Sequence, residues 1–151
     1  MSGMVVALTP PTIQRGRKQW GMPKSLIEVR REYSPSEEAA LIDAVHESLV
    51  VGFRIPPEDR GVRLIVHPPE RFAVSPSLSA PDRATIVTID CFAGRSLEAK
   101  RRLYAEIGER FEALGIPRDH ASVILHEITR ENWGTRGQPA SDVDLGFTVE
   151  V

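Results

Sequence analysis

Two stretches that follow one plan decide the fold: IPPEDRGVRLIV at residues 55–66 and IPRDHASVIL at residues 116–125. In each stretch an Ile-Pro pair ends a helix-like segment, a polar turn follows, and a Val-x-Leu run begins a strand. Each stretch is preceded by a helical pattern, and each helical pattern by another strand. The sequence therefore contains a degenerate repeat, which predicts a strand-helix-strand unit twice over.

The two helices are predicted from their start signals and from apolar side chains at helical spacing. Ser34-Pro35-Ser36-Glu37 combines a serine cap, a proline at the first helical position and a glutamate three residues after the cap. Ser96 caps the second helix. The apolar faces are Leu41, Val45 and Leu49 in a helix reaching about Val51, and Leu103, Ile107, Phe111 and Leu114 in the second helix. The predicted strands cover residues 26–30, 62–66, 84–92 and 123–125.

The predicted fold class is α+β, a two-layer α/β sandwich with a four-stranded sheet and two helices on one face. Each unit should make a right-handed crossover between parallel strands. The strands are apolar on both faces, since Val123 and Leu125 point one way while Ile124 and Ile128 point the other. The chain offers no third long helix for the second face. We therefore expect the sheet of another subunit to cover it, and the protein to be an oligomer.

Composition places the chain among ordinary globular proteins and excludes several classes of function. The 151 residues are most simply one domain, and a formal net charge of -2 gives no electrostatic reason to expect nucleic acid or an anionic membrane as a partner. No apolar run is long enough to span a bilayer. The lone Cys91 excludes an intramolecular disulfide and a cysteine-built zinc site, and we expect it to be buried. These features predict a cytoplasmic location.

The first 21 residues differ from the rest of the chain. The first acidic residue is Glu28, whereas three basic residues cluster just before Trp20, and Pro10-Pro11 discourages regular structure. Three interpretations compete: a disordered tail, an organelle-targeting peptide, or upstream sequence that is absent from the mature protein. We favour the first and the third, and assign residues 22–151 to the folded domain. The long connection 68–82 is predicted to be a functional or mobile linker. Residues 132–151 are predicted to be an arm that contains a short strand or turn near residues 143–147 and packs on a neighbour.

The function of Pro23 depends on where the mature chain begins, because Pro23 directly follows Met22. If translation starts at Met22 and that methionine is removed, Pro23 becomes a free secondary amine. Such an amine titrates near neutrality, which suits proton transfer. If the chain keeps the preceding residues, the same nitrogen is a tertiary amide without basicity. Composition alone favours an ordinary proline before a strand.

Two charged residues are further candidates. Arg95 immediately precedes the cap Ser96, and a guanidinium beside the free N–H groups of a helix start is a good carboxylate site. The alternative is a surface arginine near a helix end. Asp59 lies in the turn 56–60, where a carboxylate could orient a water, although turn aspartates are usually structural. No metal site is predicted, because the four histidines show no metal-ligand spacing, and we interpret them as structural or surface residues; they are His46, His67, His120 and His126.

From Met22 to about Phe147 the chain resembles the tautomerase superfamily, in particular the longer-chain group that includes malonate semialdehyde decarboxylase. The resemblance is carried by several elements in order along the sequence. They are Met22-Pro23, the helix 43–50, the turn 55–60, Ala93-Gly94-Arg95-Ser96 with Lys100, and Arg130-Glu131-Asn132-Trp133.

The resemblance implies two tandem β-α-β units per chain, a homotrimer with its sheets facing inward, and no metal or organic cofactor. It implies that Pro23, as the N-terminal residue, is the general base in tautomerisation or the general acid where water is added. Arg95 would hold the carboxylate of a small substrate, and Trp133 would belong to the pocket wall. Asp59 would activate water or keep the proline protonated.

Several positions depart from the family pattern. Ala93 stands where the decarboxylase has a second arginine, so decarboxylation is less supported than keto-enol tautomerisation. Lys24-Ser25 replaces two apolar residues, Tyr33 replaces an arginine, and Thr135 stands near a usual aromatic. The largest departure is the 21-residue extension.

The expected function is a cofactor-independent tautomerase that acts on a small 2-oxo or enol carboxylic acid. One alternative belongs to another class: a non-catalytic trimeric scaffold or small-acid binding module in which the extension blocks Pro23. A second alternative, among enzymes, is a decarboxylase or hydratase of a 3-oxo acid.

Overall fold

The computed structural model describes residues 23–143, which form two strand-helix-strand units followed by a short arm. The first unit is β1 (Lys24–Val29), α1 (Pro35–Phe53) and β2 (Val62–Val66); the second is β3 (Thr85–Phe92), α2 (Leu97–Ala113) and β4 (Ala121–Ile128). The arm contains a two-stranded hairpin, β5 (Gly134–Thr135) and β6 (Gln138–Pro139). The predictions for residues 1–21, and for a short strand or turn beyond residue 143, lie outside the described residues.

Both helices begin where the sequence predicts. The Ser34 hydroxyl accepts a hydrogen bond from the Glu37 backbone N–H at 3.2 Å, and the Glu37 carboxylate accepts one from the Ser34 N–H at 2.8 Å. At α2 the Ser96 hydroxyl accepts a hydrogen bond from the Ala99 N–H at 3.1 Å. Helix α1 ends at Phe53, two residues beyond the predicted end, and Arg54 follows in the left-handed region with φ of 56°.

The four strands form one mixed sheet in the order β2-β1-β3-β4. Strands β1 and β2 are parallel, as are β3 and β4, whereas the central pair β1 and β3 is antiparallel. The predicted fold class is therefore confirmed, with two tandem β-α-β units in a single sheet. The antiparallel pairing sets Lys24 opposite Asp90, so the start of β1 adjoins the end of β3.

The core lies between the helices and one face of the sheet. It is built from alternate strand residues and from the apolar stripes of both helices, including Ile27, Val87, Leu41, Val45, Leu49, Phe53, Leu103, Ile107 and Phe111. Leu114, predicted to extend the stripe of α2, is 37% exposed. The prediction is wrong there because α2 ends at Ala113. Gly115 then turns the chain with a positive φ of 89°, and Ile116 is buried instead.

The second face of the sheet carries apolar side chains that no helix covers within residues 23–143. Ile65 is 45% exposed and Ile124 is 46% exposed, while Val123 and Leu125 pack against the core. The predicted two-sided pattern of β4 is therefore confirmed. At one end of the sheet Phe92 is buried under Trp133, Ala140 and Val143. The described part of the arm thus packs on its own chain.

The connection between the two units is held by Arg30, the residue that directly follows β1. It contains two short 3₁₀ turns, Pro69–Arg71 and Pro81–Arg83. Arg30 donates to the Phe72 carbonyl at 2.7 Å and pairs with Asp82 at 3.2 Å. Cys91 is free and buried, as predicted. Among the described residues no helix has the length and apolar character needed to cross a membrane.

Candidate active site

The candidate residues Pro23, Asp59 and Arg95 lie on segments that meet at the edge of the sheet where β1 begins. Strands β1 and β2 both start at this edge, and the antiparallel β3 ends there. Pro23 precedes β1, the turn with Asp59 precedes β2, and Arg95 lies three residues beyond the end of β3. The topology therefore brings three segments, widely separated in sequence, to one end of the molecule.

Pro23 is buried at this edge, and its carbonyl lies against Gly61. A methyl group at position 61 would come within 2.8 Å of the Pro23 oxygen, closer than real contacts allow. The Ser25 N–H also donates to the Gly61 carbonyl at 2.7 Å. Position 61 therefore needs a glycine, because the turn before β2 runs directly along the start of β1.

Asp59 is 1% exposed, and neither of its carboxylate oxygens has a hydrogen-bond partner among residues 23–143. Its backbone N–H closes the turn by donating to the Pro56 carbonyl at 2.9 Å. The pKa of Asp59 is raised to about 6, first by burial and then by the charge of Glu58, whereas the charge of Lys24 opposes the rise. A carboxyl group with this pKa changes protonation state close to neutrality, as a group that transfers protons requires.

Arg95 is 6% exposed and has no carboxylate partner within the described part of the chain. One terminal nitrogen donates to the Phe92 carbonyl at 3.2 Å, and the guanidinium carbon lies 4.6 Å from the centre of the Phe53 ring. Its Nε has no hydrogen-bond partner among the described residues. Burial lowers the pKa of Arg95, and the charges of Cys91 and Glu127 partly offset this lowering. The alternative of a surface arginine is therefore wrong.

Trp133 reaches this end of the sheet through Phe92. The two rings are 4.9 Å apart between centres and inclined by 54°. The Phe92 carbonyl accepts the hydrogen bond from Arg95, so a single residue lies between Trp133 and the guanidinium. The guanidinium of Arg130 lies 5.8 Å from the centre of the Phe92 ring. The arm and the buried arginine thus share Phe92 as a common support.

Sequence reasoning missed four residues that build the site: Phe53, Gly61, Phe92 and His46. Phe53 and Phe92 read as core positions at the ends of a helix and a strand. No local pattern shows that Arg95 packs on the ring of Phe53 and donates to the carbonyl of Phe92. Gly61 carried a usable signal, because a glycine directly before a strand often marks a close backbone approach. The sequence interpretation of His46 is a structural or surface residue, and only the fold shows that it contacts the turn of Asp59.

The four histidines are all hydrogen-bonded. His67 pairs with Glu28 at 2.9 Å, His126 with Asp90 at 2.8 Å, and His120 with Asp119 at 2.7 Å. His46 lies 2.8 Å from the Pro57 carbonyl. Residues 23–143 contain no cluster of three or more His, Cys, Asp or Glu side chains arranged to hold a metal ion.

The fold and the buried charges at one sheet edge define a class of small α+β enzymes built from two β-α-β units. A family model described as tautomerase enzyme matches residues 59–136, slightly more than half of the chain. The protein therefore belongs to the tautomerase family. The matched segment contains Asp59, Arg95 and Trp133, and it begins after Pro23.

A curated relative and two solved structures agree with this assignment. A probable tautomerase of Ralstonia nicotianae is 33% identical over 57 residues, which are 37% of this chain and 81% of the relative. A malonate semialdehyde decarboxylase inhibited by 3-bromopropiolate is 26% identical, with a TM-score of 0.65 over 74% of this chain and 87% of that chain. Native fused 4-OT shares the fold at 22% identity, with a TM-score of 0.71 over 78% and 96% of the two chains.

Proposed function

We propose that this tautomerase-family enzyme interconverts the keto and enol forms of a small 2-oxo carboxylic acid without a cofactor. One observation carries the proposal: Arg95 is a buried guanidinium that forms no ion pair among the described residues, at the same sheet edge as Pro23. A desolvated cation without a partner attracts an anion strongly, because water no longer screens the interaction. A small carboxylate is the substrate class that this site fits.

In the proposed mechanism Arg95 binds the carboxylate and polarises the adjacent carbonyl. Pro23, as a free N-terminal amine, accepts the proton of the enol hydroxyl and returns a proton to the neighbouring carbon, so that no proton is gained or lost overall. This role requires that the protein begins at Pro23, with Met22 removed. Trp133 forms part of the pocket wall behind Phe92.

Asp59 supports a second candidate reaction, the hydration or decarboxylation of a 3-oxo acid. Both carboxylate oxygens lack partners among the described residues, and a pKa of about 6 lets the group exchange a proton with a water or with Pro23. The 26% identity to a malonate semialdehyde decarboxylase favours this candidate. Ala93 counts against it, because no second arginine stands at that position to bind a departing carboxylate.

We also propose that the active enzyme is a homotrimer whose sheets face inward. The exposed Ile65 and Ile124 on the uncovered face need a cover of similar apolar character. One fused 4-OT structure with the same fold, at 21% identity and a TM-score of 0.70, is described as an asymmetric trimer. A cytoplasmic location completes the proposal and rests on composition.

The proposal is tested by comparing protein that starts at Pro23 with protein that keeps residues 1–22. Only the first should ketonise an enolpyruvate, and Pro23→Ala and Arg95→Ala should each reduce its kcat/KM. Arg101→Ala is the matched control, since Arg101 is an exposed arginine of α2 that pairs with Glu98. Equal rates for the wild type, Pro23→Ala and Arg95→Ala would refute the mechanism.

The mass of the protein from its native source tests the competing interpretation. A mass that begins at Pro23 agrees with the enzyme. A mass that retains residues 1–21, together with no turnover of the enol acid, supports a trimeric scaffold or a small-acid binding module instead.

A further inference from the structure

His46 faces the turn that carries Asp59, although the two residues belong to different segments. The imidazole is 2% exposed, and its Nε2 lies 2.8 Å from the carbonyl oxygen of Pro57. A carbonyl oxygen can only accept a hydrogen bond, so Nε2 carries the hydrogen and donates it. The other nitrogen, Nδ1, is buried and has no hydrogen-bond partner among residues 23–143. The imidazole therefore makes one polar contact within the described residues, and this contact holds the turn.

The turn has few other means of attachment to the helix. Pro56 and Pro57 lack an N–H, and the hydrogen bond from the Asp59 N–H to the Pro56 carbonyl is internal to the turn. Arg60 pairs with Asp43 at 2.7 Å, but both side chains are about half exposed or more, and such pairs contribute little. The bond from His46 is the stronger anchor, because its imidazole is 2% exposed and a buried N–H left unpaired is costly.

Asp43 and His46 are three residues apart in α1 and therefore lie on one face of the helix. The ion pair holds the exposed side of the turn to α1, and the imidazole hydrogen bond holds its other side to the same helix. The sequence showed the helix and the turn as separate elements, and the structure joins them through this face.

We propose that His46 is a positioning residue whose bond to the Pro57 carbonyl keeps the carboxyl group of Asp59 inside the protein at the edge where Pro23 lies. Without this donor the turn loses its part-buried link to α1, and Asp59, two residues after Pro57, moves with the turn. The inference rests on the proposed function only where it predicts an effect of His46 on the reaction rate. The link between His46 and the burial of Asp59 stands on geometry.

The readout is the pKa of Asp59, because burial is the first cause of its rise and a merely structural histidine would not control it. The charges that act on Asp59 are Glu58 and Lys24, and both stay in every variant. Carboxyl ¹³C NMR titration of the full chain measures this pKa without any assumption about activity. The wild type should titrate near the value of about 6, well above the ordinary 3.8.

Four variants complete the experiment. His46→Gln keeps an amide donor where Nε2 stands, and should retain the raised pKa. His46→Leu fills the volume without a donor, and His46→Asn places its donor too short of the carbonyl; both should lower the pKa of Asp59 toward 3.8. The control Asp43→Asn removes only the exposed ion pair and should leave the pKa raised.

Two outcomes would overturn the proposal. One is a folded His46→Leu or His46→Asn protein in which Asp59 titrates as in the wild type, and the other is a His46→Gln protein that behaves like His46→Leu. If instead the titrations follow the expectation while the protein starting at Pro23 shows no tautomerase activity, the positioning role stands and the proposed function fails. If the enzyme is active, the low-pH limb of its kcat/KM profile should shift in His46→Leu and not in Asp43→Asn.

Discussion

Replacing Asp59 with asparagine should make the protein more stable at neutral pH, which is the opposite of what most buried substitutions do. Folding raises the pKa of this carboxyl group from 3.8 to about 6. Between these two values the folded protein binds more protons than the unfolded chain, so stability falls as the pH rises through this window. Above it, the folded protein carries the full cost of a buried carboxylate. Asparagine has a similar shape and no charge, and therefore avoids that cost.

The size of the effect follows from the two pKa values. Each pKa unit corresponds to about 1.36 kcal/mol, so the free energy of unfolding of the variant should exceed that of the wild type by up to about 3 kcal/mol at pH 7. At pH 4 the two proteins should differ little. Urea unfolding at a fixed protomer concentration, measured from pH 4 to pH 8, gives the difference directly. Asp43→Asn, at an exposed aspartate of α1, is the control. A difference that is the same at pH 4 and pH 7 would show that Asp59 is hydrated, contrary to the structure.

Three further predictions concern the edge of the sheet and its uncovered face. Gly61→Ala should cost about 1–3 kcal/mol in urea unfolding, since its methyl group would lie 2.8 Å from the Pro23 oxygen, whereas Gly134→Ala, with nothing within 4 Å, should change stability by less than about 0.5 kcal/mol. Arg95→Lys keeps the charge but loses the planar fork, so kcat/KM for an enol acid should fall at least about tenfold; an unchanged value would exclude carboxylate binding by Arg95. Ile124→Lys places a charge on the apolar face; in the full 151-residue chain, light scattering after size exclusion should show single chains of 16.8 kDa in place of a trimer, and a trimer that persists would exclude this face as the interface.

The fold could be predicted because its signals are local. The Ile-Pro helix ends at residues 55 and 116 and the serine caps at 34 and 96 each act within a few residues, and together they give the order of strands and helices. The extent of α2 could not be read from periodicity alone, since Leu114 continues the apolar spacing while Gly115 ends the helix. Periodicity predicts which face of the helix is apolar, and the turn at Gly115 determines where the helix ends.

The site was harder to predict, because its properties depend on contacts between distant segments. The sequence shows Arg95 next to a cap, a position that is usually exposed. Its burial comes from the ring of Phe53, 42 positions earlier, and its support from Phe92, which Trp133 covers from the arm. The raised pKa of Asp59 likewise depends on the loss of water around it, and no motif encodes that loss. Residue type and spacing selected candidates that the fold brings to one end of the sheet, but the electrostatics of these residues required coordinates.

The internal repeat allows two buried polar groups at matching positions of the same chain to be compared. Asp59 lies four residues after the buried Ile55, and His120 lies four residues after the buried Ile116; both are nearly inaccessible to water. In the second unit the polar group is satisfied twice, because His120 bonds to Asp119 and accepts a hydrogen bond from the Ala80 N–H. In the first unit both oxygens of Asp59 lack a partner among residues 23–143. An unpaired buried carboxylate is destabilising, and the matching turn shows that this fold can satisfy a polar group at that place. The cost is therefore specific to the edge where Pro23 and Arg95 lie, as expected if Asp59 is kept for chemistry and not for stability.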